Sequence, residues 1–323
     1  ATSSQQDIIE LLRVDPDFTK NVTSWEHIEP RKGSYAPLPE DLDSGIRESL
    51  GRRGIERLYS HQAEAYRQVR SGKNVVIVTP TASGKTLSYN LPVLQAIHED
   101  PETRALYLFP TKALSQDQQS ELNDTVLSGD LRVKVATFDG DTPSSLRVSA
   151  RETGQIVISN PDMLHAGILP NHPKWIRFFK RLKYVVIDEV HTYRGVFGAH
   201  MTNLLRRLKR IARFYGNEPT FILCSATIGN PKALAETILE EKVHLIDENG
   251  APSGEKHFVL YNPPLVDRVQ GIRKGVTNTA QELAVRFLKA GVKSIVFARS
   301  RVRTELIADY MRKSLANVYT ENS

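Results

Sequence analysis

Seven short apolar runs, rich in β-branched residues, recur between residues 74 and 246 and are separated by segments long enough for helices. They read "NVVIVT" (74–79), "ALYLFP" (105–110), "VKVATF" (133–138), "QIVISN" (155–160), "YVVIDE" (184–189), "FILCSAT" (221–227) and "VHLI" (243–246). Segments such as "GKTLSYNLPVLQAIHED" and "KALSQDQQSELND" lie between them. A strand that is apolar on both sides needs cover on both faces, and alternation with helices is the pattern of a parallel sheet. The expectation is an α/β fold, a parallel sheet with helices on both faces.

The flanks read differently. Residues 1–56 form an N-terminal extension with helical pieces: "HIEPRKGSYAPLPEDLDSG" is turn-rich, and "DSGIRESLGRRGI" predicts a short helix stopped by glycine. The first domain is expected over 57–246, and the polar "DENGAPSGEK" (247–256) reads as a linker. Residues 257–323 hold "HFVLYN", a helix near 279–290, "SIVFAR" and a helix near 302–315. That is too little for a stable α/β domain alone, so a second, incomplete domain is expected. Within "HMTNLLRRLKRIARF" (200–214), Met201, Leu204, Leu205, Leu208, Ile211 and Ala212 mark one buried helix face. Arg206, Arg207, Lys209, Arg210 and Arg213 cover the remainder, either as a solvated face or as a nucleic-acid surface.

Charge alone decides little: 43 basic against 37 acidic residues give +6. The single cysteine, Cys224, rules out a disulfide or a cysteine-based zinc site within the chain and fits a reducing compartment. The N-terminus lacks a signal-peptide pattern, and no apolar run approaches the ~20 residues of a membrane helix. A soluble, intracellular protein without membrane contact is expected, cytoplasmic by preference or nuclear in a eukaryote. Oligomeric state is not written in the sequence.

Chemistry concentrates at the ends of the apolar runs. "TPTASGKT" (79–86) follows one of them and opens a helix, the context of a phosphate-binding loop, although Thr79 and Ala82 stand where glycine is common. Backbone N–H groups around Thr81, Ala82, Ser83, Gly84, Lys85 and Thr86 would cradle phosphates at the helix N-terminus. Lys85 would neutralise the β- and γ-phosphates of ATP, and the Thr86 hydroxyl would ligate Mg²⁺. In "YVVIDEVH", Asp188 would hold Mg²⁺ through water and Glu189 would take a proton from attacking water, which favours hydrolysis over transfer. His191 as a metal ligand with His200 or Asp188 has no further ligand set behind it. Ser225 and Thr227 of "CSATIGNP" read, taken alone, as nothing more than a helix cap.

In combination these residues resemble the DExH branch of the superfamily 2 helicases, with "TPTASGKT", "DEVH" and "SAT" as the first three motifs. "LYSHQ" (58–62) is similar to the adenine-reading glutamine motif, centred on Gln62. "PTKAL" (110–114), "TFDGDT" (137–142) and "SNPDML" (159–164) match elements that grip the strand backbone, which implies nucleic-acid contacts from Thr111, Lys112, Asn160 and Asp162. A helix cap with a solvated lysine is the other reading of Thr111 and Lys112, and Asp162 suits the orienting of a neighbour better than contact with a polyanion. "SIVFARSR" (294–301), with Arg299, resembles the first motif of a second RecA-like domain. "HTYRGVFGAH", "NPDMLHAGILPNH" and "VFARSRVR" are similar to the MrfA/YprA helicases and their Hrq-type relatives. That resemblance implies a RecA-like fold and an ATP-dependent, 3′-to-5′ DNA helicase acting on single-stranded or partly duplex DNA in repair, with His191 linking the γ-phosphate to "SAT". It also implies zinc in a C-terminal domain and an arginine finger, neither of which lies in this sequence, so catalysis by this segment alone is incomplete. An RNA remodeller and a nucleotide-gated DNA clamp that does not translocate are the competing readings.

Overall fold

The computed structural model describes residues 2–80 and 84–320. Two compact units divide the chain: Lys32–Ser253, and the residues up to Arg31 together with those from Gly254 onward.

In the larger unit all seven apolar runs become strands: β1 (Val75–Val78), β2 (Arg104–Leu108), β3 (Val135–Thr137), β4 (Ile156–Ser159), β5 (Leu182–Ile187), β6 (Thr220–Ser225) and β7 (His244–Ile246). They pair in the order β7-β1-β6-β5-β2-β4-β3, and every ladder is parallel. Successive side chains alternate between faces, and both are apolar. Val76, Val78, Leu106, Leu108 and Leu223 meet Trp175, Phe178 and the helix Gly195–Phe214 on one side. Val75, Ile77, Tyr107, Ile222 and Cys224 meet Tyr89, Leu91 and Leu94 of the helix Lys85–Glu99 on the other. Burying each such side chain contributes about 1.5–3 kcal/mol, so two-sided burial governs the sheet.

This order positions the chemistry. β1, β6 and β5 are adjacent, so the loops that leave their carboxyl ends lie together, where open α/β sheets bind ligands. β2 and β4 continue the row, which brings the loops at 110–112 and 160–163 side by side along the same rim.

The flanking segments depart from the sequence-based boundaries. Residues 32–56 belong to the larger unit. There Asp43 caps the helix Ser44–Arg52 by accepting from the Gly45 and Ile46 N–H groups. The 247–256 run is not uniformly a linker: Gly250 is buried, its N–H donates to His61 Nδ1 at 3.1 Å and its carbonyl accepts from Ser34 N–H at 2.8 Å. A Cβ on Gly250 would lie 2.3 Å from Ser60 Oγ, so this glycine is a packing residue.

In the smaller unit, "HFVLYN" does form a strand, Lys256–Tyr261, but it pairs antiparallel with Val22–Ile28 from the N-terminal segment. Ile8, Leu12 and Phe18 pack with Trp25, Val259, Leu283 and Phe287 in a small core. The helices expected near 279–290 and 302–315 are present as Val276–Lys289 and Arg301–Thr320. "SIVFAR" forms no strand; Ile295 and Phe297 are 82% and 90% exposed. A parallel strand exists only beside another strand, and none of the described strands pairs with this one. The parallel sheet expected of a second domain is therefore not formed among the described residues.

Candidate functional site

Gly84 caps the helix Lys85–Glu99 with φ +70°, a left-handed conformation that glycine adopts freely. Gln62 braces it: Gln62 Nε2 donates to the Gly84 carbonyl at 2.9 Å, and Gln62 Oε1 accepts from Tyr59 N–H at 2.9 Å. A Cβ at position 84 would stand 2.7 Å from Gln62 Nε2, so a side chain there would push the Gln62 amide away from the Gly84 carbonyl. Lys85 Nζ donates to the Ser225 carbonyl at 3.2 Å, tying the β1 loop to the end of β6. Thr86 Oγ1 accepts from Gln118 Nε2 at 3.3 Å. Beside these residues opens a concavity of about 510 Å³ whose rim includes Tyr35, Arg57, Tyr59, Gln62, Gly84 and Thr86. Arg57 lies over the Tyr35 ring, 3.8 Å from its centroid. Thr81, Ala82 and Ser83, the remaining loop residues of the sequence reading, lie outside the described residues.

The acidic pair follows β5 directly. Burial holds the Asp188 carboxyl above the usual carboxylate range, against the opposing pull of the Glu189 N–H, which donates to Asp188 Oδ1 at 2.9 Å. Glu189 itself has φ +55° and ψ +39°, left-handed for a residue with a Cβ, at a cost of about 1–2 kcal/mol. Two donors hold it there: Thr192 N–H and Thr192 Oγ1 both bond the Glu189 carbonyl, at 2.9 and 2.7 Å. His191 Nε2 stands 2.9 Å from Glu189 Oε2, and His191 Nδ1 accepts from Ala226 N–H at 3.0 Å. The Ala226 bond fixes the tautomer: a neutral ring carries its proton on Nε2, pointed at Glu189. One histidine thus joins the acidic loop to the "SAT" loop. Ser225 is buried and Thr227 exposed.

Thr86 and Asp188 offer only oxygen donors, the set that Mg²⁺ takes, and a buried carboxylate near Lys85 suits a cation. In the smaller unit, His27, Glu255 and His257 gather ligand atoms within 4.8 Å of one another. There Trp25 Nε1–H donates to His257 Nδ1 at 3.1 Å and the two imidazoles stack 16° from parallel, an arrangement of hydrogen-bonded rings rather than a coordination sphere.

A second, larger groove of about 1050 Å³ runs along the rim beyond β5. Lys112, Asn160 and Asp162 line it. Lys112 is ion-paired with Asp141, and Asn160 Oδ1 accepts from Met163 N–H at 2.8 Å. Thr111 is not among the lining residues; its Oγ1 caps the helix Lys112–Ser128 by accepting from Leu114 N–H at 3.4 Å. Arg299 is exposed and belongs to the smaller unit.

The opposite wall carries Arg207, which the sequence reading left between a solvated face and a nucleic-acid surface, and Phe197, which it did not single out. Phe197, His200 and Arg207 line the groove from one stripe of the helix Gly195–Phe214, and Phe197 is 75% exposed. Exposure of a phenylalanine beside "DEVHTYRG" leaves no trace in periodicity, because it breaks no pattern. The basic face of that helix is divided: Arg206 pairs with Glu240, Lys209 with Glu241 and Arg213 with Glu218, while Arg207 faces the groove. Tyr35 and Arg57 at the smaller concavity also carry no sequence signal, since they precede the motif series.

Residues 59–234 match the DEAD/DEAH box helicase family. The chain is 55% identical over 294 residues to the uncharacterized ATP-dependent helicase YprA of Bacillus subtilis, covering 91% of this chain and 39% of that protein. It is 40% identical over 299 residues to the ATP-dependent helicase hrq1 of Schizosaccharomyces pombe, covering 90% of this chain and 28% of that protein. The crystal structure of the DUF1998 helicase MrfA bound to DNA and AMPPNP superposes with a TM-score of 0.92 at 53% identity, over 97% of this chain and 43% of that chain. The chain thus spans well under half the length of these relatives.

Proposed function

This chain belongs to the DEAD/DEAH box helicase family, and on that premise we propose that it is the nucleotide-binding part of an ATP-dependent DNA helicase of the MrfA/Hrq type, acting on single-stranded or partly duplex DNA. The observation that carries this reading is the His191 bridge, which ties Glu189 to the loop after β6 within the same rim that continues into the large groove. ATP binds with its adenine against Gln62 and its phosphates over Gly84 and Lys85. Thr86 and Asp188 would hold Mg²⁺, which would supply charge neutralisation for the nucleotide. Glu189, oriented by the Nε2–H of His191, takes the proton of the attacking water. Lys85 and His191 both contact the loop after β6, so movement at the phosphates is transmitted to Ser225 and Ala226.

In the groove, Lys112, Asn160 and Arg207 hold the phosphate backbone, and such contacts position a strand without reading its sequence. Phe197 offers a face for a base to stack on, worth about 1–3 kcal/mol per base in strand-binding proteins. DNA is preferred as the polymer because the 53%-identical MrfA structure is a DNA complex. Translocation 3′-to-5′, a role in repair, an intracellular location and a second domain supplying an arginine finger are parts of the same proposal. The test is ATP turnover without polymer, with single-stranded DNA and with single-stranded RNA. Stimulation by DNA above RNA supports the reading; equal or greater stimulation by RNA replaces it with an RNA remodeller.

A further inference from the structure

Beyond the groove lies a third concavity, of about 420 Å³, that no motif accounts for. Arg147, Arg151, Lys174 and Asn171 line it together with Phe138 and Gly167, and none of its lining residues is acidic. Arg147 and Arg151 stand one turn apart on the helix Ser144–Thr153, so both reach the same side. Three cationic side chains around one hollow repel one another unless an anion sits among them.

The two arginines are held differently. Arg147 is built in: its Nε donates to the Thr142 carbonyl at 2.8 Å, and its Nη2 donates to the Asp139 and Gly140 carbonyls, each at 3.1 Å. Its guanidinium also lies 5.6 Å from the Phe138 ring centroid. Arg151, by contrast, has a buried Nε with no hydrogen-bond partner among the described residues. A buried donor of a charged group left unpaired is costly, and a bound anion is the direct way to satisfy it. Elsewhere in the unit, Arg70, Arg206 and Lys209 meet carboxylates.

The hollow adjoins the groove: Met163 and Ala166 line both. That shared wall is shaped by a π-helical turn, Leu164–Ile168, a distortion that recurs at functional sites. A Cβ on Gly167 would stand 2.2 Å from Met163 Sδ, so glycine is what lets Met163 occupy the wall.

We propose that Arg147, Arg151 and Lys174 form an anion subsite that grips one phosphate of the nucleic acid after the strand has left the main groove. The assignment to the polymer rests on the function proposed above; the chemistry of the subsite, recognition of a phosphate, does not.

The experiment measures the salt dependence of single-stranded DNA binding by the 323-residue chain and by Arg151→Gln/Lys174→Gln, with oligothymidylates lengthened one nucleotide at a time. Arg147 is left in place because its side chain holds the 139–142 loop, and Lys174→Gln alone, at an exposed position, serves if the double variant does not fold. The expected result is a shallower slope of log affinity against log salt, by about 0.7 for each phosphate no longer neutralised. The difference appears only above a threshold length, and the shortest oligonucleotides bind both proteins alike. An unchanged slope at every length overturns the proposal. Inorganic phosphate is tested separately by its protection of each protein against thermal unfolding. Protection of the wild type but not the variant, with an unchanged DNA slope, assigns the hollow to a free phosphate and overturns the polymer contact. Failure of the wild type to bind DNA at all refutes the proposed function, and the phosphate measurement then decides the anion subsite independently.

Discussion

The proposed base, Glu189, also carries a backbone cost, and two substitutions separate the two. Its φ of +55° places it in the left-handed region, where a Cβ crowds the following carbonyl. Alanine at 189 removes the carboxylate and its contact with His191 but keeps the Cβ; glycine removes all three. The two variants therefore differ only in backbone strain and in the extra freedom of unfolded glycine. The strain is worth about 1–2 kcal/mol and the glycine entropy offsets about 0.5–1 kcal/mol of it. Glu189→Gly is expected to be more stable than Glu189→Ala by about 0.5–1 kcal/mol, which is roughly 1–4 °C in the unfolding midpoint of a domain of this size. Both variants lose DNA-dependent phosphate release by about 10²–10⁴-fold, the contribution of a positioned base. Differential scanning calorimetry and a phosphate-release assay read the two effects separately. Equal midpoints would refute the strain argument, and wild-type turnover in either variant would refute the assignment of the base.

Three further outcomes follow from the same geometry. Burial raises the folded-state pKa of Asp188 above the ordinary aspartate value of 3.8, so ionisation at neutral pH works against folding. Asp188→Asn should raise the unfolding midpoint at pH 7, and this advantage should shrink as pH falls toward the ordinary aspartate value and the folded-state carboxyl takes up its proton; a gain independent of pH would contradict the cause. Gln62→Ala should weaken ATP binding by roughly tenfold, about 1.4 kcal/mol, and narrow the preference for ATP over GTP, measured by competition with a fluorescent nucleotide. Arg207→Gln should flatten the salt dependence of DNA binding by about 0.7, whereas Arg206→Gln, which removes a side chain paired with Glu240, should leave it unchanged.

The sheet is legible in the sequence because its signal is redundant: seven runs apolar on both faces admit few other arrangements. The placement of the proposed nucleotide residues is legible for a related reason, since Gly84, Lys85, Asp188 and Glu189 follow the ends of those runs. "SIVFAR" has the same composition as the true strands, yet strand formation depends on ladder partners, which composition does not report. The N-terminal segment departs from expectation in the opposite sense. Val22–Ile28 finds its partner more than 200 residues later, a pairing without a local signature. Phe197 is silent in the sequence because the helix Gly195–Phe214 is amphipathic with or without it, and Arg207 could not be told there from its paired basic neighbours; only position beside the rim separates them.

The coupling of the two sites is the central claim, and single-stranded DNA affinity with and without saturating non-hydrolysable ATP tests it most directly. Wild-type protein should show an ATP-dependent shift of about 5–150-fold in DNA affinity, and Lys85→Ala should show none. The same DNA affinity with and without nucleotide, in a protein shown to bind both, would contradict the account.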